Sequence, residues 1–589
     1  MREIRRGPLF LAAIGALLAG YLMNRLFALY AVQPADMLFS ARWMAALDGI
    51  GAELRSRPLY LSTGKAAWTA GAVGFASIWL GYLYYLTTVK NFRPGEEHGS
   101  SKWGTPRDIA PLLNPEPDLN IPLSATESIN LCAAEDFEHD RNNNVLVVGG
   151  PGSGKTHGIM KPELMQLHSS YVITDPKGTL LPDVGHMLTA HGYTVRAFNS
   201  VDFSRSLHYN PLAYIRKESD ILRIVNVLIE NTSGPTGVPA GDMKFWVDCE
   251  RLLYTACIAF LWQEAPPEDC NLPTLIEMLD LCQVKEEDED YVSPTDVLFD
   301  ELSAHSPDCL AVRQYHKFKK GAGKSMKSIL LTCAARMAPF DISELREITR
   351  YDELHLDEIG DRKTALFLIM SDTDSTYTFL IAMILYQMFI LLEEKADTEY
   401  GGTLPFRVRC LFDEFANIGR IPDFDRKIAT IRSRGISATI LLQSITQLNA
   451  VYKDNAETII DCCDTLVFLG GKSTKTTKEV SEMIGKSTID TRSISESKGT
   501  TGSWSRQDST LARDLIDPAE IGRLHRSECL VLITGLPPFR SRKYPTAQHP
   551  RYHEITDGGA PSYDIRAASH AEKVVVVEYY DLSELNALA

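Results

Sequence analysis

The residues most able to do chemistry are Gly149, Gly150, Pro151, Gly152, Ser153, Gly154, Lys155 and Thr156, directly after the apolar run Val145-Leu146-Val147-Val148. They fit G-x-x-x-x-G-K-S/T, and Thr156 to Leu167 can form the helix that should follow. Glycines let backbone N–H groups turn inward and cradle phosphate oxygens at the positive end of a helix. The spacing predicts Lys155 on the β- and γ-phosphates and Thr156 on Mg²⁺. A nucleoside triphosphate, ATP with Mg²⁺, is the implied ligand.

A second group answers the first. Val408-Arg409-Cys410-Leu411-Phe412 reads as a strand that ends in Asp413-Glu414. Asp413 is expected to bind Mg²⁺ through water, and Glu414 to polarise the water that attacks the γ-phosphate. Gln443 ends the run Ser437–Leu442 and is placed to touch the γ-phosphate. Arg432 and Arg434 lie near the end of a helix expected over Ile421–Arg434. Either could be an arginine finger toward a neighbouring subunit, or a cation favoured by the helix C-terminus. Gly321-Ala322-Gly323-Lys324-Ser325 imitates a second phosphate loop. Phe318 stands where its first glycine should be, no strand precedes it, and it reads as a break between helices.

Strands must carry these groups. The candidates are Val145–Val148, Tyr171–Thr174, Val195–Phe198, Ala365–Met370, Val408–Phe412, Ala438–Leu442, Leu466–Leu469 and Leu530–Thr534. Alternation with helices is the pattern of a parallel α/β sheet, whose ligands sit at the carboxyl ends of the strands. Asp175, Ser371-Asp372-Thr373-Asp374 and Gln443 occupy such ends. Between 215 and 345 the strand signal vanishes, and helices such as Lys244–Gln263 and Ser325–Met337 predict an inserted all-α domain. Its acidic run, Lys285 to Asp290, reads as a solvated loop. Ile489–Thr510, rich in Ser, Thr and Gly, is expected to be an exposed loop, and the last 40 residues carry only the apolar run Val574–Val577.

The chain has 589 residues, 44% hydrophobic, with a formal net charge of −16. That length fits several domains and that balance disfavours a nucleic-acid coat protein, but it allows a ring whose pore alone is basic. The 11 cysteines form no Cys-x-x-Cys pair, which suits reduced thiols in a cytosolic region. Zinc or haem spacings, a Ser-His-Asp set and a Leu-Ser-Gly-Gly-Gln signature are all missing from the sequence. Leu9–Val32 and Ala66–Val89 are long and apolar enough to span a bilayer, with Arg25 expected to snorkel to the headgroups. A cleaved signal peptide competes for the first of these. Arg2, Arg5 and Arg6 before one span, and Lys90, Arg93, Lys102 and Arg107 after the other, put both ends in the cytoplasm. Residues 33–65 are left as a short external segment. The resulting division is a membrane anchor over 1–95, a nucleotide-binding domain in two parts (96–214 and 346–550), the all-α domain at 215–345 and a tail at 551–589.

The order of these motifs resembles that of type IV secretion coupling proteins, the TraG/TraD-like conjugation ATPases. The resemblance rests on the two spans, Gly149–Thr156, Thr174-Asp175-Pro176-Lys177-Gly178, Phe412–Gly419 and Leu442–Leu448, with Ser371–Thr376 and Cys529–Pro538 in support. It implies a RecA-like P-loop NTPase anchored in the bacterial inner membrane and assembled as a homo-hexamer around a pore. The implied partners are a relaxase joined to single-stranded DNA and the proteins of a type IV secretion channel. By motif, Lys155, Thr156, Asp413 and Glu414 inherit the nucleotide roles, Gln443 the sensor role and Arg432 the trans-acting role. Arg432, Arg434 and Lys472 are pore candidates by position and charge. Two other functions share this build: a receptor ATPase for secreted protein effectors, and a membrane scaffold that binds ATP without hydrolysing it.

Overall fold

The computed structural model describes residues 6–88, 96–133, 136, 138–232, 242–285, 291–321, 323–497 and 503–565. Most of the acidic run, Ala322, Lys90, Arg93 and Val574–Val577 fall outside them. The chain divides into two compact units, Met1–Glu97 and His98–Ala589.

The first unit holds helices α1 (Arg6–Val32), α2 (Phe39–Ser56) and α3 (Lys65–Thr88). Pro8–Val32 and Lys65–Leu86 are long and apolar enough to cross a membrane. Glycines let α1 and α3 approach closely: a Cβ on Gly71 would stand 3.0 Å from the Gly20 carbonyl oxygen, and one on Gly74 3.0 Å from that of Ala19. Helix α2 was not foreseen in the segment between the spans. It also changes the account of Arg25, which does not snorkel. The side chain is 1% exposed, pairs with Glu53 at 3.2 Å and donates to the Arg57 carbonyl at 3.1 Å. A nearby protein carboxylate satisfies the guanidinium more completely than headgroups at the helix end. Asn24 is absorbed the same way, accepting from Ser62 N at 2.9 Å.

In the second unit all eight expected strands form, flanked by others. They are β1 (Asn120–Pro122), β2 (Ser128–Asn130), β3 (Val145–Gly149), β4 (Ser170–Asp175), β5 (Thr194–Asn199), β6 (Thr364–Ile369), β7 (Val408–Phe412), β8 (Ile436–Leu442), β9 (Thr465–Gly470), β10 (Lys486–Ser497), β11 (Ser503–Asp514), β12 (Glu528–Ile533) and β13 (Phe539–Arg542). Nine build one sheet in the order β13-β12-β9-β3-β8-β7-β4-β6-β5. It is mixed and not wholly parallel, because β12 runs antiparallel to both β9 and β13. The link from β12 to β13 is too short for a crossover helix, so it can only turn back.

Strand alternation sends Val145 and Val147 to one face and Leu146 and Val148 to the other. Both faces are covered, which is why these runs are continuously apolar. One face packs under the helix after the glycine loop and under Leu180–Ala190. The other packs under the long helix Thr378–Thr398. Between β5 and β6 the described regular elements are helical, including Glu218–Thr232, Asp242–Glu264, Leu310–Phe318 and Gly323–Met337. The imitation phosphate loop falls at the break between the last two.

Two local expectations need correction. The described parts of Ile489–Thr510 are not loop but strand: β10 and β11 pair antiparallel from Lys486–Asp514 to Ser497–Ser503. Its Thr and Ile residues suit a strand, and the Ser-rich composition concealed them. The helix expected over Ile421–Arg434 starts only at Phe424, because Pro422 and a left-handed Asp423 (φ 52°) keep the chain out of helix until then. It closes with a tighter turn over Ile431–Arg434.

Candidate functional site

The glycine loop leaves β3, next to the central strand β8 of the sheet. Gly152 and Gly154 have φ of 70° and 88°, where side chains with a Cβ are strained. The loop then enters a helix over Thr156–Met160, continued by Lys161–Gln166, and the chain turns left-handed at Leu167. Strand β8 lies between β3 and β7, so Gln443 projects between the loop and Asp413-Glu414. Asp413 and Glu414 follow the end of β7 directly, with Glu414 itself left-handed at φ 49°.

These strand ends bring five predicted groups together. Lys155 Nζ donates to Glu414 Oε1 at 3.0 Å and to the Gly149 carbonyl at 3.2 Å. Gln443 Nε2 donates to Glu414 Oε2 at 3.0 Å. Thr156 Oγ1 donates to Asp413 Oδ2 at 3.4 Å, and Thr174 Oγ1 fixes the Asp413 carbonyl at 2.8 Å. Lys155, Thr156, Asp413, Glu414 and Gln443 face one cleft of about 810 Å³, also lined by Asp175, Asp372 and Asn417. Burial pushes the Asp413 carboxyl up to about 6; Lys155 opposes the shift and Glu414 adds to it. Burial also raises Asp175, whose carboxylate accepts from Leu180 N at 2.7 Å.

The donor set fits a phosphate chain with a divalent cation. Ser153 Oγ is buried without a hydrogen-bond partner among the described residues, inside a loop of positive-φ glycines. A hydroxyl and a buried carboxylate at 3.4 Å are hard oxygen ligands of the kind Mg²⁺ takes.

Arg432 and Arg434 lie elsewhere. They precede β8, whereas Gln443 follows it, and seven strand residues span roughly 20 Å. Arg432 pairs with Asp140, and Arg434 forks onto Asp397 at 3.1 and 2.9 Å. Neither lines the cleft of its own chain.

Two features of the site escaped sequence reading. Arg409, in the middle of β7, forms an ion pair with Glu163 of the helix after the loop at 2.5 Å, both side chains 0% exposed. A charged residue inside an otherwise apolar strand was the available signal. Thr556, Asp557 and Ser562 also line the cleft, and their surroundings carry no pattern that would have flagged them.

Comparison with known proteins gives this geometry a family. Residues 105–554 match the model for type IV secretory system conjugative DNA transfer. The chain belongs to this family of type IV coupling proteins. As a coupling protein it is 22% identical over 514 residues to Protein VirD4 of Rhizobium radiobacter, covering 82% of this chain and 69% of that protein. It is 23% identical over 470 residues to conjugal transfer protein TraG of Escherichia coli, covering 72% and 71%. Among solved structures it resembles the bacterial conjugative coupling protein TrwBdeltaN70 in complex with sulphate: TM-score 0.55, 16% identity, 77% of this chain and 96% of that one. TrwB in complex with the ATP analogue ADPNP aligns with TM-score 0.53 and 15% identity, over 77% and 95%. The likeness establishes the RecA-like NTPase fold with an all-α part that the motif order implied.

Proposed function

We propose that this coupling protein is a membrane-anchored ATPase that delivers a relaxase joined to single-stranded DNA to a type IV secretion channel. The convergence of Lys155, Thr156, Asp413, Glu414 and Gln443 on one cleft carries the reading. That a related coupling protein was solved with an ATP analogue supports it. Helices α1 and α3 serve as the anchor, with the second unit in the cytoplasm. The division of that unit into a nucleotide-binding domain and an inserted all-α domain is part of the same proposal, as is assembly into a homo-hexamer.

In this reading the glycine loop and Lys155 bind and orient the phosphates. Thr156 and Asp413 hold Mg²⁺, which supplies neutralisation of phosphate charge when bound. Glu414, oriented by Gln443, positions and polarises the attacking water. Gln443, bonded to Glu414 at 3.0 Å, registers loss of the γ-phosphate through that carboxylate. Arg432, far from its own cleft, serves a neighbouring subunit's site, where a guanidinium can stabilise charge in the transition state.

The decisive experiment is ATP hydrolysis by the full chain in lipid nanodiscs, with and without single-stranded DNA, beside Lys155→Ala. Stimulation by DNA that weakens with salt and vanishes in the variant is expected. Turnover indifferent to DNA and salt would overturn the DNA-coupled reading in favour of a protein-secretion receptor.

Asp413 gives a pH signature. Only its carboxylate binds Mg²⁺, and a pKa raised to about 6 means the proton returns below that value. Mg²⁺–ATP affinity is expected to fall roughly tenfold per unit below pH 6. Calorimetric titration between pH 5 and 8 reads this, and Asp413→Asn should flatten the profile.

A further inference from the structure

Residues after Glu554 lie beyond the stretch that matches the family. Through Ile565 they pack onto the second unit, where the sequence promised only a tail. Just upstream, Thr546 Oγ1 donates to the His157 carbonyl and Arg551 Nη1 to the Met165 carbonyl, both on the helix after the glycine loop. Further on, Asp557 N donates to Asp183 Oδ1 at 3.2 Å and Tyr563 N to the Pro182 carbonyl at 2.9 Å, both on Leu180–Ala190. The segment straps together the two helices that flank the cleft. Thr556, Asp557 and Ser562 form part of the cleft wall.

Asp557 is the charged group the strap adds to that wall. Its Oδ2 takes Lys161 Nζ and lies 3.5 Å from His157 Nδ1. Oδ1 has no hydrogen-bond partner among the described residues. His157 directly follows Thr156, so Asp557 meets the cleft wall just past the end of the phosphate loop. A carboxylate with one oxygen pinned and the other available accepts hydrogen bonds, and ribose hydroxyls donate them.

We propose that Asp557 is a ribose-binding residue, its carboxylate accepting the sugar hydroxyls of the bound nucleotide; this rests on the ATPase reading above. The test is calorimetric binding of ATP and of 2′,3′-dideoxy-ATP, each with Mg²⁺, to the full chain in detergent micelles. ATP is expected to bind about tenfold tighter, the scale of one hydrogen bond to a charged group. Asp557→Ala should bind the two equally, and Asp557→Glu should keep part of the preference. Equal binding by the unaltered chain, or a preference undiminished in Asp557→Ala, overturns the proposal without any appeal to folding of the variants. A chain that binds neither nucleotide overturns the ATPase reading itself.

Discussion

Glu414→Gln is expected to slow ATP hydrolysis about 10³-fold while ATP still binds. A positioned general base contributes roughly 10²–10⁴ in rate. The amide keeps the size of the side chain and loses the charge that polarises water. It also meets a pairing problem. In the native site both carboxylate oxygens accept, one from Lys155 and one from Gln443, each at 3.0 Å. An amide offers one acceptor and one donor, so Gln443 must turn its own amide round to accept, and the ion pair with Lys155 is lost in either arrangement. Lys155 then loses a partner, which frees it for phosphate and favours tight, unproductive binding. Phosphate release and nucleotide affinity, measured side by side, separate the two effects. A variant that hydrolyses ATP at the native rate would remove Glu414 from the chemistry. A variant that stops hydrolysis yet still supports DNA transfer in cells would favour the scaffold reading.

Arg409→Met is expected to cost about 3–5 kcal/mol of stability, the usual result of breaking a buried ion pair from one side. Arg409 also donates to Ser437 Oγ at 2.8 Å and Thr439 Oγ1 at 2.5 Å on β8, and to the Asn143 carbonyl at 2.5 Å before β3. Removing it strands the Glu163 charge where no water reaches. Glu163→Gln combined with Arg409→Met should therefore cost less than the sum of the two alone, because the stranded charge is gone. Denaturant unfolding of all three variants closes the cycle. Additive losses would show that the pair does not act as a unit. Because Glu163 sits on the helix after the loop and Arg409 on the strand before Asp413, the pair also ties the phosphate loop to the carboxylates.

The parts of the molecule legible in the sequence were those whose physics is local. Val145–Gly149 is buried on both faces and reads as an unbroken apolar run, and Val408–Phe412, equally buried, as a run interrupted only by Arg409. Loop glycines with positive φ leave a signature because few other residues tolerate that backbone. Arg25 and Glu53 show the opposite case. The 28 positions that separate them hide a pairing that only the fold creates. The hairpin of β10 and β11 was concealed by Ser and Thr, which serve loops and exposed strands alike. The direction of β12 depended on which edge of the sheet remained open, a matter of topology. Asp557 comes 401 residues after Thr156, and no spacing rule connects them.

The contacts around Glu414 close into a loop of their own. Glu414 holds Gln443, and Gln443 N donates to Gln447 Oε1 at 2.9 Å on the helix Ile445–Tyr452. At the far end of that helix, Tyr452 Oη accepts from Ile421 N at 3.2 Å, and its ring stacks on Phe415 with centroids 5.7 Å apart. Ile421 leads back along the chain to Glu414. The helix is thus a rod pinned at both ends, one at the carboxylate and one on the turn beyond it. In the proposed ATPase, a shift of Glu414 on loss of the γ-phosphate would act on the rod through Gln443. The shift would emerge about 12 Å away, eight residues at the helical rise, where the chain enters Phe424–Thr430. That helix runs on to Arg432, so the lever that starts at one nucleotide ends at the residue proposed to reach the next.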